Sequence, residues 1–106
     1  MITFIARLRL VQGKETEGLA AAREMVAAVG ANEPDTLAYC CHQNDADPLE
    51  IVFYEMYTDE AAKDLHLGTA HFKKLIGLTG DVFDPAYGVK VEDLRPVKLF
   101  CQQAAG

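Results

Sequence analysis

The nine residues Leu49-Glu-Ile-Val-Phe-Tyr-Glu-Met-Tyr57 place the tightest constraint on the fold. The run reads as a β-strand with large apolar groups on both faces, because Ile51, Phe53 and Tyr57 alternate with Val52, Tyr54 and Met56. A strand of this kind belongs in a sheet that is covered on both sides. The N-terminal run Ile2–Val11 has the same character, with Ile2, Phe4, Ala6, Leu8 and Leu10 on one face and Thr3, Ile5, Arg7, Arg9 and Val11 on the other. The chain has 106 residues, which suits one domain and one layer of helices. At this size, folding buries only about 65% of the surface that the unfolded chain exposes. Half of the residues are apolar, so apolar surface is left over. The simplest cover for the second face is the same sheet from another copy, which predicts a homodimer about a two-fold axis.

The other periods supply the remaining elements. Gln12-Gly13 turns the chain into a helix over Lys14–Val29, with Leu19, Ala22, Val26 and Val29 as its stripe, Glu15 and Glu17 in its first turn and Gly30 just past its end. Asn32-Glu33-Pro34-Asp35 is a breaker cluster. Thr36–Gln43 and Leu49–Tyr57, joined by the polar turn Asn44–Pro48, form a hairpin. Thr58 is placed to cap a helical stretch that runs to about Leu78, with an interruption at Gly68-Thr69. Asp84-Pro85 stops it, and Tyr87–Leu94 is a last strand. The order βαββαβ predicts an α+β, ferredoxin-like fold: a four-stranded antiparallel sheet with two helices on one face. No repeat or linker divides the chain, so residues 1–106 are read as one domain, with a tail from about residue 98.

Composition excludes several functions. Sixteen acids against ten Lys and Arg give a net charge of −6, and the basic residues are scattered. Neither nucleic acid nor an anionic membrane is therefore an expected partner. The N-terminus lacks the pattern of a signal peptide, and Arg7 and Arg9 interrupt the first apolar stretch. Cys40, Cys41 and Cys101 do not make a disulfide framework, so a reduced, cytoplasmic chain is expected. Cys40-Cys41-His42 lacks the ligand spacing of structural zinc sites, and no metal is expected.

The residues that could carry chemistry lie mainly between Glu55 and Phe72. Glu55 shares a face with Phe53 and Tyr57; a carboxylate there either finds a donor, titrates at raised pH, or sits at the rim of the sheet. His66 and His71 are five residues apart, about 140° around an ideal helix, so only a break at Gly68-Thr69 could bring them together. Each is either a working group or a packing residue. Arg7 could orient an acidic ligand or pair with Glu55, and Arg9 fits a strand-to-strand ion pair better. Tyr39, Tyr54, Tyr57 and Phe72 could line a pocket for a flat ring or simply fill the core.

The segment from Asp47 to Phe72 resembles the antibiotic biosynthesis monooxygenase (ABM) family: a strand ending in Tyr54-Glu55, an aromatic at Tyr57, an acidic helix start with Ala61-Ala62, and the His66-x-x-x-x-His71-Phe72 stretch. Glu33-Pro34 followed by Leu37-Ala38-Tyr39 is similar to the family's turn into its second strand, and the likeness runs from Ile2 to about Val97. The resemblance implies a dimeric α+β barrel with a pocket between the sheet and helices of each subunit. It also implies a monooxygenase acting on a quinol or related aromatic phenol with molecular oxygen, without metal or flavin. In such a site His66 would be the base or donor to the phenolic oxygen and Glu55 would tune it. Arg7, Tyr39, Tyr54, Tyr57, His71 and Phe72 would shape the pocket. Two departures stand out: Tyr57 occupies a position where many members carry Trp, and Asp35 replaces the glycine common after Glu-Pro. The absence of Trp disfavours haem degradation, a property of some relatives. Two alternatives are an isomerase of a small phosphorylated or dicarbonyl metabolite, with Arg7 and Lys73 on the phosphate, and a non-catalytic dimeric module that binds a small ligand.

Overall fold

A computed structural model describes residues 1–100; Cys101 and the rest of the expected tail lie outside the described residues. The elements are β1 (Ile2–Arg9), α1 (Glu15–Asn32), β2 (Thr36–Gln43), β3 (Glu50–Tyr57), α2 (Glu60–Leu67), α3 (Ala70–Ile76) and β4 (Lys90–Leu94). The four strands form one antiparallel sheet in the order β2-β3-β1-β4, the ferredoxin-like arrangement. β1 and β3, the two strands read as apolar on both faces, are the central pair.

The helices differ from expectation in ways that follow from local chemistry. α1 runs through Gly30 and stops at Glu33, because Pro34 disfavours helical backbone in the residue before it. Glu33 accordingly lies at φ −122° and ψ 85°, and the chain turns through Glu33–Thr36 with Thr36 N–H donating to the Glu33 carbonyl at 3.2 Å. The buried stripe of α1 is Gly18, Ala22, Met25 and Val29, with Leu19 and Val26 beside it. Gly18 belongs to this stripe because a Cβ there would overlap Leu10 Cδ2.

The second helical stretch is two helices. Asp59, rather than Thr58, caps α2, its carboxylate accepting from Ala62 N–H at 2.9 Å. At the expected break, Thr69 caps α3: its hydroxyl accepts from Phe72 N–H at 3.2 Å and donates to the His66 carbonyl at 2.7 Å. The last strand is shorter than the alternation suggested, beginning at Lys90, because Asp84–Tyr87 turns and Gly88 adopts φ +70°.

Ile51, Phe53 and Tyr57 of β3 pack with Phe4, Ala6 and Leu8 of β1 under the helices, joined by Met25, Val29, Leu75 and Phe83. The opposite face of the sheet carries Ile5, Val52 and Tyr54, all partly exposed, with Thr3 and Met56 buried near one end. Strand register puts Tyr54 beside Ile5 on that face.

Candidate active site

Glu55 is held at the centre of the sheet, opposite Phe4 of β1 and Tyr39 of β2. Its alternation with Phe53 and Tyr57 turns it toward the helices, into a cavity of about 320 Å³. Phe4, Tyr39, Phe53, Phe72 and Leu75 form much of the wall. Glu55 is its one buried charged group. The other two are Lys63, partly exposed and paired with Glu60 at 2.7 Å, and Asp93, which is exposed.

Burial raises the pKa of Glu55 to about 7, the nearby Glu33 charge adds to the rise, and the hydrogen bond from Tyr57 opposes it. The Tyr57 hydroxyl donates to Glu55 Oε1 at 2.6 Å, which leaves Oε2 to act on something else. Burial, reinforced by the Glu55 carboxylate, keeps the Tyr57 phenol protonated, and Tyr39 is likewise held neutral by burial. The pair is thus a proton acceptor poised near neutrality and a fixed phenol donor, set against aromatic and aliphatic side chains.

A second cluster lies behind this wall. The His66 ring is buried, with ring centroids 5.1 Å from Tyr39, 5.2 Å from Phe72 and 5.6 Å from Tyr57. Its Nδ1 lies 2.9 Å from Glu33 Oε2, and His71 Nε2 lies 2.5 Å from the same oxygen. Thr36 Oγ1 donates to Glu33 Oε1 at 2.8 Å. Burial alone would raise the Glu33 pKa; the hydrogen bonds from His66, His71 and Thr36 outweigh it and hold the carboxyl below its ordinary value.

The structure therefore groups the expected site residues differently. The break between α2 and α3 does bring His66 and His71 together, on Glu33 rather than in the cavity. His66 backs the cavity wall, and Glu55 is the buried carboxylate that lines it. Tyr39 and Phe72 line the cavity as expected, and Tyr57 reaches it through Glu55. Arg7 and Tyr54 do not join them, because both project from the other face of the sheet. Arg7 Nη1 pairs there with Glu92 at 2.8 Å, and Arg9 pairs with Asp47 at 2.7 Å. Lys73 is exposed and Arg7 is turned away, so the two do not converge as a phosphate cradle. Burial pushes the Cys41 thiol up to about 11, which removes it as a reactive thiolate. Glu33 is not among the expected site residues; Pro34 is the available signal for its placement, since it forces the preceding residue out of the helix.

The matched sequence agrees with this geometry. Residues 1–77, which span β1 through α3 and hold both clusters, match the family described as antibiotic biosynthesis monooxygenase. The chain belongs to the ABM family. Among solved structures, one antibiotic biosynthesis monooxygenase is 30% identical, with a TM-score of 0.81 over 92% of this chain and 100% of its own. A Caulobacter crescentus protein provisionally assigned to the same activity is 27% identical, with a TM-score of 0.82 over 92% of this chain and 90% of its own. A Bacteroides thetaiotaomicron protein, also provisionally assigned, has a TM-score of 0.84 at 23% identity over 97% and 95% of the two chains, a likeness of fold. No curated protein matches the sequence. Among the described residues, no helix is long and apolar enough to cross a membrane.

Proposed function

We propose that this ABM-family protein is a monooxygenase that oxidises a quinol or related electron-rich phenol with molecular oxygen, with Glu55 as the base. The observation that carries this reading is a buried carboxylate of pKa about 7 inside a cavity lined by aromatic and aliphatic side chains. A base that titrates near 7 is matched to removing a phenolic proton at neutral pH. Glu55 Oε2 takes that proton. The resulting phenolate gives one electron to oxygen, and the two radicals combine at a ring carbon as a peroxide. The C–H bond at that carbon and the O–O bond then break: the inner oxygen stays as a carbonyl, and the outer oxygen leaves with the carbon's proton and the proton held by Glu55 as one molecule of water. Tyr57 holds Glu55 in place by its hydrogen bond, and Tyr39, Phe53 and Phe72 supply flat apolar contact and exclude water. His66 acts as a positioning residue that backs Tyr39 and Phe72. The separation of Arg7 from the cavity weighs against a phosphorylated substrate, and a central ionisable group weighs against a purely binding role.

The same proposal includes a homodimer formed through the outer sheet face, where Ile5, Val52 and Tyr54 would meet their copies. The test of activity is oxygen uptake with a panel of hydroquinones and anthrones, with isotopically labelled oxygen to trace the inserted atom. Expected are uptake, one labelled atom per product, and at least about a 100-fold loss in Glu55→Gln. No uptake above background from the wild-type protein across the panel refutes the proposal.

A further inference from the structure

Glu33, His66 and His71 bring three ligand-type atoms to one point from three separate elements: the end of α1, the last turn of α2 and the first turn of α3. We propose that this triad is a binding site for a divalent first-row transition ion of the zinc class, placed behind the cavity wall. The site does not rest on the oxidation chemistry for its evidence, since neither His66 nor His71 lines the cavity.

Three observations carry it. First, the three donor atoms, one carboxylate oxygen and two imidazole nitrogens, all lie within 4.8 Å of one another. Zinc bonds of about 2.0–2.2 Å to nitrogen and oxygen place neighbouring ligand atoms about 3.3 Å apart in a tetrahedron. The oxygen–nitrogen separations of 2.9 and 2.5 Å must therefore open by less than about 1 Å, and the nitrogen–nitrogen separation, within 4.8 Å, must close by at most about 1.5 Å. Second, the Glu33 side chain is 2% exposed, and among the described residues no Lys or Arg pairs with it. A buried carboxylate partnered only by imidazoles and a hydroxyl is a charge that a cation would balance. Third, access is graded. His66 is 1% exposed at its side chain while His71 is 17% exposed, so an ion can enter past His71 and keep one coordination position for water. Two imidazoles and one carboxylate favour zinc, cobalt or iron over calcium or magnesium, which prefer oxygen ligands. The bound ion would pin the α2–α3 break to the end of α1, and with it His66 and the wall formed by Phe72.

The sequence concealed this site because its ligands are 33 residues apart on one side and joined by a broken helix on the other. Spacing rules built on continuous helices do not reach such a set.

The test titrates metal-free protein with Zn²⁺ by calorimetry and with Co²⁺ by visible absorption, alongside Glu33→Gln, His71→Ala and the exposed control His42→Ala. Expected are one ion per chain at micromolar concentration, cobalt bands of low coordination number, and at least tenfold weaker binding in Glu33→Gln and His71→Ala but not in His42→Ala. Histidine nitrogen NMR of the wild-type chain gives a reading that needs no variant: added Zn²⁺ shifts His66 Nδ1 and His71 Nε2. No binding at 100 μM Zn²⁺, or binding that leaves both nitrogens unshifted, would mean that the triad is only hydrogen-bonded, and would overturn the proposal.

Discussion

Replacing Glu55 with Gln isolates the energetic cost of holding that carboxylate in the cavity. Between about pH 4.5 and 7 the folded protein keeps a proton on Glu55 that the unfolded chain has released. The folded state then binds more protons than the unfolded state, so stability falls as pH rises across this window and levels off above it. A rise from 4.5 to about 7 corresponds to about 3 kcal/mol. Gln keeps the shape and still accepts the Tyr57 hydrogen bond, but carries no titrating group. Urea denaturation of both proteins at one fixed concentration, in steps from pH 4.5 to 8.5, measures the difference. The stability of wild type minus that of Glu55→Gln is predicted to drop by about 3 kcal/mol between the ends. Glu33 shifts in the other sense, so its contribution is lost as pH falls below its ordinary value, and it cancels in the difference. Parallel curves, with a constant offset across the range, would show that Glu55 titrates in the cavity as it does in water, and the reasoning would fail.

Three other changes test the framework around the site. Gly18→Ala places a methyl against Leu10 at the core of α1; overpacking of about 1–3 kcal/mol exceeds the helix propensity gain of about 1, so a net loss near 1 kcal/mol is expected on chemical denaturation. A gain in stability would show that Leu10 yields freely. Thr69→Ala removes the cap of α3 and the bond to the His66 carbonyl, with an expected loss of about 1 kcal/mol; an unchanged midpoint would show that packing alone sets the break. Tyr54→Glu puts like charges across the proposed dimer axis and is expected to convert dimer to monomer in analytical ultracentrifugation. A wild-type protein that is monomeric at tens of micromolar contradicts the dimer.

Much of the fold was legible because two-residue and 3.6-residue periods are strong in this chain. The alternation of β1 and β3 marked both as strands, which the structure places at the centre of the sheet, and Gly68-Thr69 marked the break in the second helical stretch. Boundaries were less legible where one side chain decides them: Asp59 outcompetes Thr58 as a cap because its carboxylate reaches Ala62 N–H, and Pro34 extends α1 by fixing where it must stop rather than where its stripe fades. At the site, the parity of β3 put Glu55 on the face of Phe53 and Tyr57 and left open whether it lay at the rim; the structure buries it. The same parity rule turned Arg7 away from Glu55, since Arg7 lies three residues from Phe4, the cross-strand partner of Glu55, and so on the opposite face. Glu33 was hidden because its burial depends on contacts with His66 and His71, which exist only after α1 and the α2–α3 break have packed.

The central claim is that Glu55 removes a phenolic proton inside the cavity, and the most direct test is the pH dependence of kcat/KM for quinol-driven oxygen uptake from pH 5 to 9. The account predicts an acid limb, tenfold per pH unit, that breaks near pH 7 in the wild type and disappears with most of the activity in Glu55→Gln. An active wild-type enzyme with no break near 7, or a Glu55→Gln variant that keeps both the rate and the limb, would contradict it.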